Sequence, residues 1–318
     1  MPPREGRPIS LRAPALLLAL ALAALGGWLS GCRGGYETET LRGEGVREWF
    51  LDLYGARVEA LAVWPAEARG ALPALLLVHG DRDSGQTFRR AMFAVARAGH
   101  YAMSISLPGF GESTGPEDFG GERSVRAIRH AVDYLAAQRE VRTGGLALYG
   151  EGMGAAPALA AAAQDERIRL VALEDPIYDL AEAFPRLPDA QRGRLLRILG
   201  GPPSERPEGY QERSAKEWAG KLKAPLLVIH GPRDKATSPA QAEALVKTVQ
   251  GNGYFAQLRP GGRPHQELDP RRPALQRWVL PFMKDRLPPE QPLKREPEAP
   301  PSRKKTPAGG QVQPKPVR

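Results

Sequence analysis

The sequence predicts an α/β domain with a mostly parallel sheet of about eight strands and helices on both faces. Three observations carry this. Apolar runs alternate with helical segments over about 250 residues, the rhythm of strand–helix–strand units. The runs Ala74–Val78, Leu146–Tyr149 and Pro225–Ile229 are continuous, as expected of strands covered on both faces. Each is followed closely by a glycine, and loops at the carboxyl ends of parallel strands are where such sheets bind ligands. The length suits one domain, and there is no internal repeat.

In chain order, Glu48–Leu53 and Val58–Val63 alternate enough to pair as an antiparallel hairpin across Gly55. Ala74–Val78 ends in His79-Gly80, and Phe88–Ala98 is helical until Gly99. Tyr101–Leu107 is a strand, followed by a glycine-rich loop from Pro108 to Gly121. The next helix carries Val125, Ile128, Val132 and Leu135 on one face. Leu146–Tyr149 leads through glycines into the alanine-rich helix Ala155–Ala163. Arg169–Leu173 and Pro225–Ile229 are strands, Ser238–Val249 a helix, Tyr254–Leu258 a last strand and Pro273–Arg286 a closing helix. Residues 177–223 carry no strand pattern and read as a helical lid or cap insertion.

The ends differ in kind. Arg4, Arg7 and Arg12 precede an apolar run, Ala13–Leu25, too short to span a bilayer comfortably, so residues 1–31 read as an export signal. The run ends in Leu29-Ser30-Gly31-Cys32, which resembles a bacterial lipoprotein signal. That resemblance implies acylation of Cys32, the chain's only cysteine, by fatty acids such as palmitate. The expectation is an envelope lipoprotein with membrane lipid as its partner through Cys32; Arg33, in place of a retention Asp, favours the outer membrane and its periplasmic side. Residues 32–47 read as the linker from the anchor. The tail 287–318 holds nine prolines and hardly any large apolar side chain, and reads as disordered. Its basic character would allow weak contact with anionic envelope polymers. Of the net charge of +9, +2 lies in residues 1–31 and +4 in the tail, leaving +3 on the folded part, which argues against nucleic acid.

The most telling motif is Gly150-Glu151-Gly152-Met153-Gly154 between a strand and a helix. A nucleophile elbow has this layout, G-x-S-x-G, and Gly152 occupies the place of the attacking residue. Glycine has nothing to attack with. The motif also lacks the P-loop Lys and the dinucleotide spacing, and the five histidines have no metal-ligand spacing, so no metal or cofactor is expected.

Taken together, these residues resemble the α/β-hydrolase superfamily over roughly Glu48 to Arg286, the second half being most like prolyl-oligopeptidase-type and dienelactone-hydrolase-type members. His79-Gly80 matches the HG motif, which implies that the backbone N–H of Asp81 forms one half of an oxyanion hole and that of Met153 the other. Residues 106–113 resemble the D-x-P-G-x-G-x-S loop, with Ser106 where Asp is usual. Residues 230–234 match H-G-x-x-D, which implies Asp234 as the catalytic acid, and the Gly261–His265 loop implies His265 as the base. The resemblance therefore implies an acid and a base without their nucleophile. Two functions follow. One is a degenerate, non-catalytic homologue that binds a small molecule or peptide. The other is an active esterase- or peptidase-like hydrolase using a displaced nucleophile, or the Asp234–His265 pair as general base. Glu151, Asp175, Asp179 and Ser84 are the displaced candidates, and none lies in the tight turn.

Overall fold

The computed structural model describes residues 39–287 apart from 42, 54, 233, 235 and 262–271. The export segment, Cys32, His265 and residues 288–318 lie outside the described residues.

The strands are β1 (Glu39–Leu41), β2 (Glu44–Leu53), β3 (Ala56–Pro65), β4 (Leu72–Val78), β5 (Tyr101–Ile105), β6 (Val141–Glu151), β7 (Ile168–Glu174), β8 (Leu226–His230) and β9 (Ala256–Pro260). They form one sheet in the order β1-β2-β3-β5-β4-β6-β7-β8-β9. The strands from β4 onward are mutually parallel, and β1, β2 and β3 add an antiparallel edge. This is the predicted mostly parallel sheet with one strand more than expected. The extra pairing corrects the linker boundary: residues 39–47, expected to be linker, supply β1 and the start of β2. Val46 pairs with Val63 and is buried, so the ladder extends through it.

Helices cover both faces. Along β4, Ala74, Leu76 and Val78 enter the core beneath α2 (Glu122–Ala137), α3 (Ala155–Ala163) and α8 (Pro239–Gly251). Leu75 and Leu77 enter the opposite core, beneath α1 (Arg89–Arg97) and α9 (Leu280–Arg286). Period-two side chains thus feed two cores from one continuous apolar run. Truncating either kind, for example Leu76→Ala, removes about 2–5 kcal/mol.

Local chemistry sets the helix ends. Ser238 and Gln241 form a capping box at α8, with Pro239 in its first turn. Before α9 the chain widens into a π turn, Leu275–Val279, just ahead of Pro281, which has no amide to continue the α ladder. Leu287, expected to open the tail, is buried and its amide donates to the Met283 carbonyl, so the domain includes it.

The insertion between β7 and β8 is helical, as expected: α4 (Leu180–Ala183), α5 (Asp189–Leu199), α6 (Pro207–Gln211) and α7 (Lys216–Ala219). Leu195, Tyr210, Ala215 and Ala219 are buried in the core it shares with the domain. The Leu180 amide donates to Ser214 Oγ (2.9 Å), and Arg213 Nε to the Asp118 carbonyl (2.9 Å). No helix among the described residues is long and apolar enough to cross a membrane.

Candidate functional site

β6 ends at Glu151, a single 3₁₀ turn follows at Gly152–Gly154, and α3 begins at Ala155. Gly152 has φ +54°, a left-handed conformation that costs a residue with a Cβ free energy. The structure therefore places Gly152 where the motif predicted the tip of an elbow. Its flanking glycines answer a different need. A Cβ on Gly150 would come 2.7 Å from the Ala155 Cα and 2.9 Å from the Ala158 Cβ. One on Gly154 would fall inside the His79 carbonyl oxygen. The turn is thus clamped between its own helix and the neighbouring strand end. Met153, the residue after the tip, is buried.

The loop after β4 meets the elbow directly, since a Cβ on Gly80 would lie 3.3 Å from the Glu151 carbonyl oxygen. His79 is buried and accepts the Leu107 amide on Nε2 (2.9 Å), so Nδ1 donates to the Gly80 carbonyl (2.7 Å). Burial pushes the His79 pKa down and keeps the ring neutral, as a structural brace needs. Asp81 follows in the turn. Its carboxylate accepts Gln191 Nε2 (2.6 Å) and pairs with Arg194, both from α5, so the insertion grips the predicted oxyanion loop. Arg194 also reaches Glu117 (3.3 Å) and lies over the Phe119 ring.

Ser106, standing where the resemblance has Asp, is buried against a carboxylate from another strand. Its hydroxyl donates to Glu59 Oε2 (2.5 Å), which also accepts the Glu112 amide (3.1 Å), while Gln86 Nε2 donates to Oε1 (3.0 Å). Burial raises the Glu59 pKa, but these hydrogen bonds outweigh it and hold the group below its ordinary value. β3 thus delivers the charge that the loop lacks.

Sequence reasoning missed Arg272. It lies at the end of the His265 loop with φ +44° and is 5% exposed. Its guanidinium bonds Glu151 Oε1 (3.1 Å) and Asp83 Oδ2 (2.8 Å) and lies over the Phe88 ring. One side chain therefore ties the residue before the elbow tip, the loop after β4 and the far end of the His265 loop. Burial pushes the Glu151 carboxyl up to about 8, against the pull of Arg272. Glu151 is thus committed to this network.

Three more residues converge at the ends of β7 and β8. Asp175 (φ +44°), His230 and Asp234 each bring a ligand atom within 4.8 Å of the others. Scattered in sequence, they form the one grouping among the described residues that could hold a cation. Several of their atoms are already engaged. Asp175 Oδ1 accepts the Gly231 amide (2.6 Å), and the Tyr178 hydroxyl lies 3.2 Å from His230 Nδ1. Asp234 Oδ1 accepts the amides of Ala236 (2.7 Å) and Thr237 (3.2 Å), and its Oδ2 the Thr237 hydroxyl (2.9 Å). Burial and the nearby carboxylates of Glu174 and Asp234 push Asp175 up to about 7, although the Gly231 amide opposes this. The predicted partner of Asp234, His265, lies outside the described residues. Of the displaced candidates, Asp179 caps α4 and pairs with Lys216 (2.5 Å), and Ser84 uses its carbonyl to accept the Thr87 amide and hydroxyl.

The prolyl oligopeptidase family model matches residues 119–260, somewhat under half of the chain and ending just before the His265 loop. The chain is 26% identical over 186 residues to an uncharacterised peptidase of Bacillus subtilis, covering 58% of this chain and 71% of that one. It is 31% identical over 191 residues to an uncharacterised protein of Mycobacterium tuberculosis, of whose length it spans 60%. Among solved structures, an acetyl xylan esterase from Paenibacillus superposes with a TM-score of 0.64 at 18% identity, over 79% of this chain and 88% of that one. The strand order, the glycine-clamped elbow, the HG loop and these likenesses agree: the chain carries the α/β-hydrolase fold.

Proposed function

We propose that this chain is a non-catalytic member of the superfamily, exported and held at the envelope by an acylated Cys32, that binds a ligand at its elbow face. The observation that carries this reading is Gly152 at the elbow tip: the backbone has the turn of a nucleophile and the residue has no nucleophilic atom. The neighbouring carboxylates are engaged elsewhere: Glu151 is bound to Arg272, Asp179 to Lys216, and Asp175 accepts the Gly231 amide. The names of its likenesses, a peptidase and an acetyl xylan esterase, suggest a peptide or an acylated carbohydrate as ligand class.

The test is chemical. A fluorophosphonate probe labels activated serines, and the full-length protein should remain unlabelled. Gly152→Ser supplies the missing hydroxymethyl group. If Asp234 and His265 complete a triad there, the variant should hydrolyse an activated ester, and a further His265→Ala change should abolish this. The new side chain at φ +54° should also lower stability by about 1–2 kcal/mol. Labelling of the unaltered protein that disappears with His265→Ala would instead establish an enzyme with a displaced serine.

A further inference from the structure

β9 is the last strand of the sheet: β8 lies on one side of it, and among the described residues no strand lies on the other. The Phe255 carbonyl accepts the Leu226 amide, and the Gly261 amide donates to the His230 carbonyl. Alternation along a parallel strand then gives the backbone groups of the odd-numbered residues to β8 and turns those of Ala256 and Leu258 toward the outer edge. Gln250 Nε2 donates to the Ala256 carbonyl (2.8 Å), which leaves the Ala256 amide and both backbone groups of Leu258 open among the described residues. An open edge is a template for one more strand.

The side chains along this edge carry one sign. Phe255, Gln257 and Arg259 share the face covered by α9, as period two requires. The Arg286 guanidinium lies over the Phe255 ring (3.6 Å), and those of Arg259 (5.3 Å) and Arg277 (4.7 Å) lie over Trp278. All three arginines are exposed. Elsewhere on the surface Arg126, Arg167 and Arg186 pair with carboxylates. These three form no ion pair among the described residues, although Asp285 is next to Arg286 in sequence. Stacking on a ring holds a guanidinium in place while its N–H groups stay available to a carboxylate.

Charge selects the occupant. A second copy docked edge to edge would set three more arginines against these three, and residues 288–318 carry the same net sign. We propose that the β9 edge takes up an extended acidic segment of a partner protein by strand addition. Its main chain pairs with Ala256 and Leu258, and carboxylates at alternate positions meet Arg259, Arg277 and Arg286. The proposal is independent of what happens at the elbow and of the anchor.

The probe is a short fluorescein-labelled peptide of alternating glutamate and threonine, titrated into the full-length protein and followed by anisotropy. Binding should saturate. The same peptide with glutamine for glutamate should bind at least about tenfold more weakly, and so should one N-methylated at alternate amides, in one of its two registers. Arg259→Glu combined with Arg286→Glu, both at exposed positions, should weaken binding at least about tenfold and leave the melting temperature of the domain unchanged within a few degrees. Absent or non-saturable binding, equal binding of the glutamine peptide, or unchanged affinity in the double variant would overturn the proposal. Equal binding of both N-methylated peptides would reduce the strip to a contact for any polyanion and overturn strand addition. Sedimentation showing a dimer of the unaltered protein that the double variant leaves intact and the peptide cannot dissociate would assign the edge to a second copy instead.

Discussion

Two arginines sit at opposite ends of the same parallel sheet. Arg272, at the carboxyl end, gives its two terminal nitrogens to Glu151 and Asp83. Arg142, at the amino end, has a buried Nε without a partner among the described residues. The first cation is part of the fold, because its removal would strand buried carboxylates. The second has no carboxylate paired with it among the described residues. The Nε of both is buried without a partner among the described residues, so the difference lies in the carboxylates that the terminal nitrogens of Arg272 meet.

The strongest way to break this contrast is to delete each cation. Arg272→Ala leaves Asp83 buried without a counter-charge and should destabilise the protein by about 3–5 kcal/mol, measured by urea unfolding at pH 7. Neutralising the partners as well, with Glu151→Gln and Asp83→Asn, should recover most of that loss. Recovery of none of it would mean that Arg272 acts through its packing on Phe88 instead.

Glycines sharpen the same comparison. Gly154 at the elbow has no room for a Cβ, whereas Gly99 just before β5 has nothing within 4 Å and only a φ of +86°. Gly154→Ala should cost about 2–3 kcal/mol through displaced backbone. Gly99→Ala should cost about 1 kcal/mol, from conformation alone. Equal melting temperatures for the two variants would refute the clamped elbow.

Buried acids at the carboxyl end set a pH dependence. The Asp175 carboxyl stands at about 7 in the fold against an ordinary 3.8, and Glu151 at about 8 against 4.5. Between the lower and upper values the native chain holds protons that the unfolded chain has released, so this part of the stability is full below about pH 4 and is lost as pH rises toward 8. Asp175→Asn keeps an acceptor for the Gly231 amide and has no charge to bury. It should leave stability at pH 4 unchanged and raise it at pH 8 by about 4 kcal/mol. A variant whose stability tracks the parent at every pH would contradict this assignment. The smallest effect belongs to Arg142→Met, which removes an unpaired donor and should shift stability by less than about 0.5 kcal/mol.

How much of this could be read in advance depends on sequence distance. Strands such as Ala74–Val78 announce themselves by local composition, and the elbow glycines by local spacing, so the α/β fold and the place of Gly152 were legible. The charges were not. Arg272 meets partners 121 and 189 residues away, and only the register of the sheet brings them together. Glu59 replaces a loop carboxylate from 47 residues upstream for the same reason. The convergence of Asp175, His230 and Asp234 was hidden because it needs β7 and β8 to be neighbours. Residues 39–47 were misread as linker because Glu44, Gly45 and Arg47 break the apolar alternation while still pairing with β3.

The packing at Gly150 and Gly154 bears on how this lineage can change. Position 152 can drift to glycine with little consequence for the scaffold, because glycine suits the left-handed turn. Its two neighbours cannot, because any heavier residue collides with Ala155 or with the His79 carbonyl. Descendants that still fold will inherit the outer glycines whatever becomes of the centre. They will carry the outline of a hydrolase as an inherited shape, and the middle residue alone will record whether chemistry was kept.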